Sequence, residues 1–158
     1  MSSFTRLLNY EFTDDPVPNQ YGNTPIIRTL ESFRFYYDGS MTGWYFEAPI
    51  FSIANGGSIP DIAQNMFGLD PFDPWYLQGY VMHDLMVGEC GKMYPIRHDD
   101  GRFKYISWSE AADWLNKAMV VKESCVPKPI TKLQRKMIIL FVRGYGLVRP
   151  KVNPVRVP

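Results

Sequence analysis

An aspartate-glycine pair between two strand-forming segments is the feature that most constrains the fold of this chain. Residues 32–37 and 42–53 are rich in aromatic and β-branched residues, and Asp38-Gly39 lies between them. This dipeptide tolerates the positive φ angles that a tight hairpin turn requires. The pattern therefore predicts an antiparallel β-hairpin in the first third of the sequence.

Helix signals dominate the sequence after the hairpin. Capping side chains stand at Ser58, Asp73, Ser107 and Thr131, and a proline or a glutamate follows the first three. They predict a short helix to about Phe67, an apolar helix that carries His83 and Asp84, and two further helices. In the third helix, Trp108, Ala111, Ala112, Leu115, Ala118 and Met119 share one apolar face. In the fourth, the apolar face contains Leu133, Met137, Leu140 and Phe141, and Gly144 or Gly146 ends the helix.

Strands followed by helices indicate an α+β fold, a small antiparallel sheet packed against about four helices. The chain has 158 residues, of which 46% are hydrophobic, enough for one well-filled core. We expect an extended arm at residues 1–30, with a short strand near residues 7–12 and little core, a single domain at 31–147, and a proline-rich extended tail at 148–158. Residues 88–105 are predicted to form a surface excursion with a hairpin tip at 99–101.

Composition by itself implies neither a nucleic-acid partner nor a membrane partner. The chain has 17 basic and 16 acidic residues, so no overall field attracts nucleic acid or an anionic membrane at long range. Its longest apolar run, residues 137–142, is far below the roughly 20 residues of a membrane span, and the start lacks a signal-peptide apolar core. The cysteines, Cys90 and Cys125, cannot make a four-ligand zinc site by themselves and favour ordinary thiols. We expect a protein made in the cytosol.

The adjacent pair His83-Asp84 is the strongest candidate for chemistry. A histidine accepts a proton near neutral pH, and a carboxylate can hold a cation or a second proton. Helical spacing puts Asp84 on the same face as Leu77, Tyr80 and Val81, so it is predicted to be buried and to need a partner. A structural hydrogen bond and a catalytic role both satisfy that pattern.

Asp113 and the loop at Asn55 are weaker candidates. The helical wheel points Asp113 away from the apolar face, where a pair with Lys117 is a sufficient role. The loop Asn55-Gly56-Gly57-Ser58 precedes a helix, and backbone N–H groups there can hold an anion. Glycine pairs at such positions also serve as simple turn geometry.

The order of these motifs over residues 44–147 resembles the phage-associated domain-of-unknown-function family thirteen fifty-three. The matching segments are FSIANGGSIP at 51–60, YVMHDL at 80–85, ADWL at 112–115 and VRGYG at 142–146. The family pattern looks like a metal-dependent hydrolase site. It implies that His83 and Asp84 are catalytic and that Asp84, Asp113 and Asn55 hold a divalent metal, with Gly56, Gly57 and Ser58 as a backbone anion loop.

This chain has Asn55 where the family usually has aspartate. An amide oxygen can coordinate a metal but adds no charge and cannot act as a base. The replacement of the aspartate by Asn55 leaves open whether the site is active or vestigial. The resemblance implies a phage virion or virion-assembly component, a tail, neck or baseplate accessory built on a hydrolase-like domain, in the host cytoplasm during assembly and then in the virion. Its partners would be other phage structural proteins or further copies of the chain, contacted through residues 1–29 and 148–158. The alternatives are a small metal-dependent hydrolase acting on cell wall and a host-directed binding or inhibitor module.

Overall fold

The chain folds as an α+β protein. The computed structural model describes residues 4–14, 25–39, 41–56, 64–66, 68–148 and 153–158. The helices within them are α1 (Leu77–Val87), α2 (Trp108–Glu123) and α3 (Lys132–Val148), and residues 64–66 are also helical. The strands are β1 (Tyr10–Thr13), β2 (Ile26–Thr29), β3 (Phe33–Tyr36), β4 (Trp44–Ala48), β5 (Ile53–Ala54), β6 (Lys92–Met93), β7 (Ile96–His98), β8 (Phe103–Lys104) and β9 (Val155–Arg156).

The predicted hairpin is confirmed and forms half of a four-stranded antiparallel sheet. Strands β3 and β4 pair with Phe35 opposite Phe46, and the sheet continues to β7 and β8. Alternate side chains of β3 and β4 point into the core, where Phe33, Phe35 and Phe46 are fully buried. Strand β7 adds Ile96 to that core, so the expectation that residues 88–105 form only a surface excursion is wrong.

The N-terminal arm contributes to the core, contrary to the expectation. Its strands β1 and β2 pair antiparallel, and β5 joins them in a three-stranded sheet. Ile26 and Ile27 are buried, and Phe4 is buried against the rings of Phe33 and Phe35. Extended, proline-containing sequence therefore does not exclude core packing when apolar side chains flank it.

The end of the chain docks on its own domain. Strand β9 pairs in parallel with β6, and the amides of Val155 and Val157 donate to the carbonyls of Gly91 and Met93 at 2.8 and 2.9 Å. The hydroxyl of Tyr105 donates to the Val157 carbonyl. These bonds satisfy the exposed backbone of a short edge strand.

Helix α1 runs through the centre of the molecule. All of its residues are buried, which is typical of a core helix rather than an amphipathic surface helix. It begins at Leu77 and not at Pro74 as predicted, because residues 74–76 form a turn in which Asp73 accepts the Trp75 amide. Helix α2 packs against α1 on one side and against α3 on the other.

The face that helix α3 presents to the core overlaps the predicted one at Phe141, which is partly buried against it, but not at the predicted leucines. Its buried residues are Ile138, Ile139 and Val142, whereas Leu133 and Leu140 are exposed. The helix also continues through Gly144 and Gly146. Gly146 serves packing instead of termination, because a Cβ at this position would lie 2.2 Å from the indole of Trp108.

Candidate functional site

His83 and Asp84 lie on the central turns of α1 and are almost inaccessible to solvent. The exposed fractions of their side chains are 2% and 1%. His83 Nδ1 lies 3.7 Å from the nearest carboxylate oxygen of Asp84. The predicted burial of Asp84 is confirmed, because α1 is enclosed by its neighbours on all sides.

The backbone of Asn55 contacts the side chain of Asp84. The Asn55 amide N–H donates to Asp84 Oδ2 at 3.2 Å, which ties the end of β5 to the middle of α1. The side-chain oxygen of Asn55 is buried and accepts no hydrogen bond from the described residues. An aspartate at this position would place a second carboxylate near Asp84, and the like charges would oppose each other.

Trp108 closes the cluster on the side of α2. Its ring lies edge-on to His83, with centroids 4.8 Å apart and planes at 86°. The indole N–H donates to the Val142 carbonyl at 2.6 Å, and Tyr145 lies beside the ring. Trp108 thus connects His83 to α3, and its indole ring packs against the imidazole.

Cys90 borders the cluster from the turn after α1. Burial raises the pKa of its thiol well above the usual range, and the negative charges of Asp84 and Glu89 raise it further. The thiol is therefore protonated and a poor nucleophile at neutral pH.

Asp113 does not join His83 and Asp84. It lies on the exposed side of α2, as the helical wheel predicted, with half of its side chain accessible. Its carboxylate pairs with Arg143 of α3 rather than with Lys117. Among the described residues, no group of three or more His, Cys, Asp and Glu side chains could hold a metal ion. The predicted metal ligands are thus divided between the interior, with Asp84 and the Asn55 backbone, and the surface, with Asp113.

The predicted anion loop is only partly within the described residues. Gly56 has a φ of +82° and is buried against Phe72, so a Cβ there would lie 2.8 Å from that ring. Glycine is required at this position by the positive φ angle and by the close packing of Phe72. Gly57 and Ser58 lie outside the described residues.

Sequence patterns do not predict that Trp108 and Cys90 lie beside His83 and Asp84. They predict an apolar helix face for Trp108 and only an ordinary thiol for Cys90. No local spacing signal predicts these contacts, because α1 ends at Val87, before Cys90, and Trp108 belongs to another helix.

No protein-family model, curated protein or solved structure matches this sequence. None of the described helices has the length and apolar character needed to cross a membrane.

Proposed function

We propose that this chain is a structural or assembly component of a bacteriophage particle, a tail, neck or baseplate accessory protein. The observation that carries the proposal is the exposed apolar stripe on α3, formed by Leu133, Leu140 and Leu147 at intervals of seven residues. Their exposed fractions are 65%, 61% and 88%. Aligned leucines on one helix face are typical of a surface that contacts another protein.

The buried histidine-aspartate cluster supports the same function. A general base has to come within hydrogen-bond reach of its substrate, and a metal-bound water needs an open coordination position. His83 is instead enclosed by Trp108 and α1, and Asp84 accepts the Asn55 amide. These contacts suit a role in holding α1, β5 and α2 together.

The phage assignment comes from the sequence resemblance of residues 51–60, 80–85, 112–115 and 142–146. Asn55, in place of the usual aspartate of that family, agrees with a domain that keeps the fold without the reaction. The residues expected to contact partners at the chain ends are in part used internally, since β1 pairs with β2 and β9 with β6. The stripe on α3 is therefore the better candidate for the intermolecular contact.

Mass spectrometry of purified particles tests the proposal in a phage that encodes the chain. We expect the protein in the particle, or in an isolated assembly intermediate. Leu140→Gln should fold normally, because Leu140 is exposed, but should be lost from these structures. Met66→Gln, which changes an exposed apolar side chain elsewhere, is the matched control.

Absence of the wild-type protein from particles and intermediates would contradict the proposal. A hydrolase predicts a different set of results, in which divalent metal raises the melting temperature of the wild-type protein and cell-wall hydrolysis disappears in His83→Ala. Those results would favour the metal-dependent enzyme.

A further inference from the structure

A row of flat side chains crosses the outer face of the four-stranded sheet. Strand register places Tyr36 opposite Tyr45, Tyr45 opposite Arg97, and Arg97 opposite Phe103. These residues alternate with Phe35, Phe46 and Ile96, which face the core, so they lie on the opposite side of the sheet. Tyr36 is itself buried there, whereas Phe103 is exposed and Tyr45 and Arg97 are partly exposed. The row thus runs through all strands of this sheet, from β3 to β8.

Arginines lie against the rings of this face. The guanidinium carbon of Arg34 is 4.9 Å from the centroid of Tyr45, and that of Arg97 is 6.0 Å from the centroid of Phe103. The guanidinium carbon of Arg156, on β9, lies 5.0 Å from the centroid of Tyr105. The Tyr105 ring in turn lies edge-on to the ring of Phe103. The surface therefore combines planar groups with positive charge.

The charge of this face is positive although that of the whole chain is nearly neutral. Glu47 lies opposite Arg34 on the neighbouring strand and forms an ion pair with it at 2.7 Å. Arg97 and Arg156 add further positive charge beside the rings. The sequence separates these arginines widely, and the sheet together with the docked tail brings them to one surface.

A cleft opens beside the row. Its volume is about 310 Å³. The lining residues include Tyr45, Tyr94, Arg97 and Val157, together with Glu47, whose carboxylate is paired with Arg34. This size falls at the lower end of small-ligand sites, roughly 300 to 1,000 Å³.

We propose that this face, named here the aromatic sheet face (Tyr45, Arg97, Phe103 and Tyr105), binds single-stranded nucleic acid. Unpaired bases stack on aromatic rings and on guanidinium planes, and arginines neutralise the phosphates. One base enters the cleft beside Tyr45, and its neighbours stack along the row toward Phe103. The positive charge favours this ligand over a neutral proline-rich peptide, which would use the rings alone. The inference is independent of the proposed role in a particle.

Fluorescence anisotropy with the full chain and a labelled oligothymidylate of about twenty nucleotides tests this inference. We expect binding that weakens as salt increases. Phe103→Ala should weaken it about tenfold, in line with the loss of one stacked base. Phe103 is half exposed, so this change is not expected to unfold the protein. Arg97→Gln should weaken binding and lower the slope of log K against log salt by about one.

Lys132→Gln is the matched control, since it removes an exposed positive charge on α3, away from the sheet. It should leave the affinity within about twofold of that of the wild type, because it contacts neither the bases nor the phosphates of a strand on the sheet. A melting curve for each variant separates loss of binding from loss of fold. Phe103→Leu provides a second test, because it keeps an apolar side chain but not the flat ring.

The inference is overturned if the oligonucleotide does not bind at low salt, or if Lys132→Gln weakens binding as much as Arg97→Gln. It is also overturned if a proline-rich peptide binds at Phe103 and the oligonucleotide does not. Binding that depends on both Phe103 and Arg97 but not on Lys132 supports it.

Discussion

At the residue scale, Asp84 is the connection on which the centre of the molecule depends. Its carboxylate accepts the Asn55 amide and lies beside His83, in an interior that excludes water. A buried carboxylate is costly unless its oxygens are satisfied, so these contacts offset a large desolvation cost. Removing the carboxylate leaves the facing donors without that acceptor.

Asp84→Ala should therefore lower the free energy of unfolding by about 3 kcal/mol, from the lost hydrogen bonds and the unpaired polar groups. Asp113→Ala is the matched control. It breaks an exposed pair with Arg143 and should cost less than about 1 kcal/mol. Urea denaturation followed by tryptophan fluorescence measures both variants. Equal losses for the two aspartates would contradict the structural role of Asp84.

The sequence was informative about single residues where local spacing decides their environment. The helical periodicity of the surrounding apolar residues predicted a buried Asp84 and an exposed Asp113, and both predictions are confirmed. They could not predict that Trp108 and Cys90 approach the same cluster. Those contacts depend on how α1, α2 and the following turn pack, which is information spread over the whole chain.

At the element scale, α2 has a complete capping box. The Ser107 hydroxyl accepts the Glu110 amide at 3.2 Å, and the Glu110 carboxylate accepts the Ser107 amide at 2.8 Å. We expect Ser107→Ala to cost about 1 kcal/mol and Ser107→Gly only a few tenths, because glycine is a tolerated N-cap. Thermal unfolding of the two variants measures both losses of stability. Equal losses for Ser107→Ala and Ser107→Gly would exclude a capping role for the hydroxyl.

The same capping box predicts a pH dependence. The hydrogen bond from the Ser107 amide is the main cause that lowers the pKa of Glu110, with Lys104 adding a smaller effect. A lowered pKa in the folded state means that this stabilisation is present above the unfolded pKa of about 4.3 and is lost as pH falls through the folded value. The difference in stability between wild type and Glu110→Gln should therefore shrink in urea titrations at acidic pH. A difference that stays constant from neutral to acidic pH would contradict the assignment.

Helix α3 shows that sequence periodicity alone does not decide which face of a helix is buried. On α3, Leu133 and Leu140 recur at helical spacing, but so do Ile138 and Val142 on another face. Either set could have been buried, because the helix is apolar on more than one side. Contact with α2 selected the second set, through partners such as Trp108 that lie 34 residues away from Val142 in sequence. Local capping signals at Ser107 and Thr131, by contrast, predicted the starts of α2 and α3 correctly.

At the scale of the whole molecule, the docked tail depends on Gly88. This residue ends α1 with a φ of +72°, and a Cβ there would lie 2.4 Å from the Cβ of Pro154. Gly88→Ala should undock β9 from β6 and expose the bond after Arg156 to trypsin. Gly101→Ala is the control, since Gly101 has a φ of +91° but open space around it. Equal cleavage rates in both variants would contradict the role of the close contact between Gly88 and Pro154 in docking the tail.

The two cysteines report on the opening of the molecule as a whole. Cys125 is exposed, whereas Cys90 is half-buried beside Asp84 and its pKa is raised by burial. A thiol reagent should therefore modify Cys125 faster than Cys90 in the native protein, because Cys125 is exposed and the raised pKa of Cys90 lowers its fraction of reactive thiolate. Asp84→Ala should speed the reaction of Cys90 and leave that of Cys125 unchanged. Mass spectrometry after timed alkylation measures the two rates, with Cys125→Ser confirming the assignment. Modification of Cys90 as fast as that of Cys125 in the wild type would contradict the shielded environment of the Cys90 thiol.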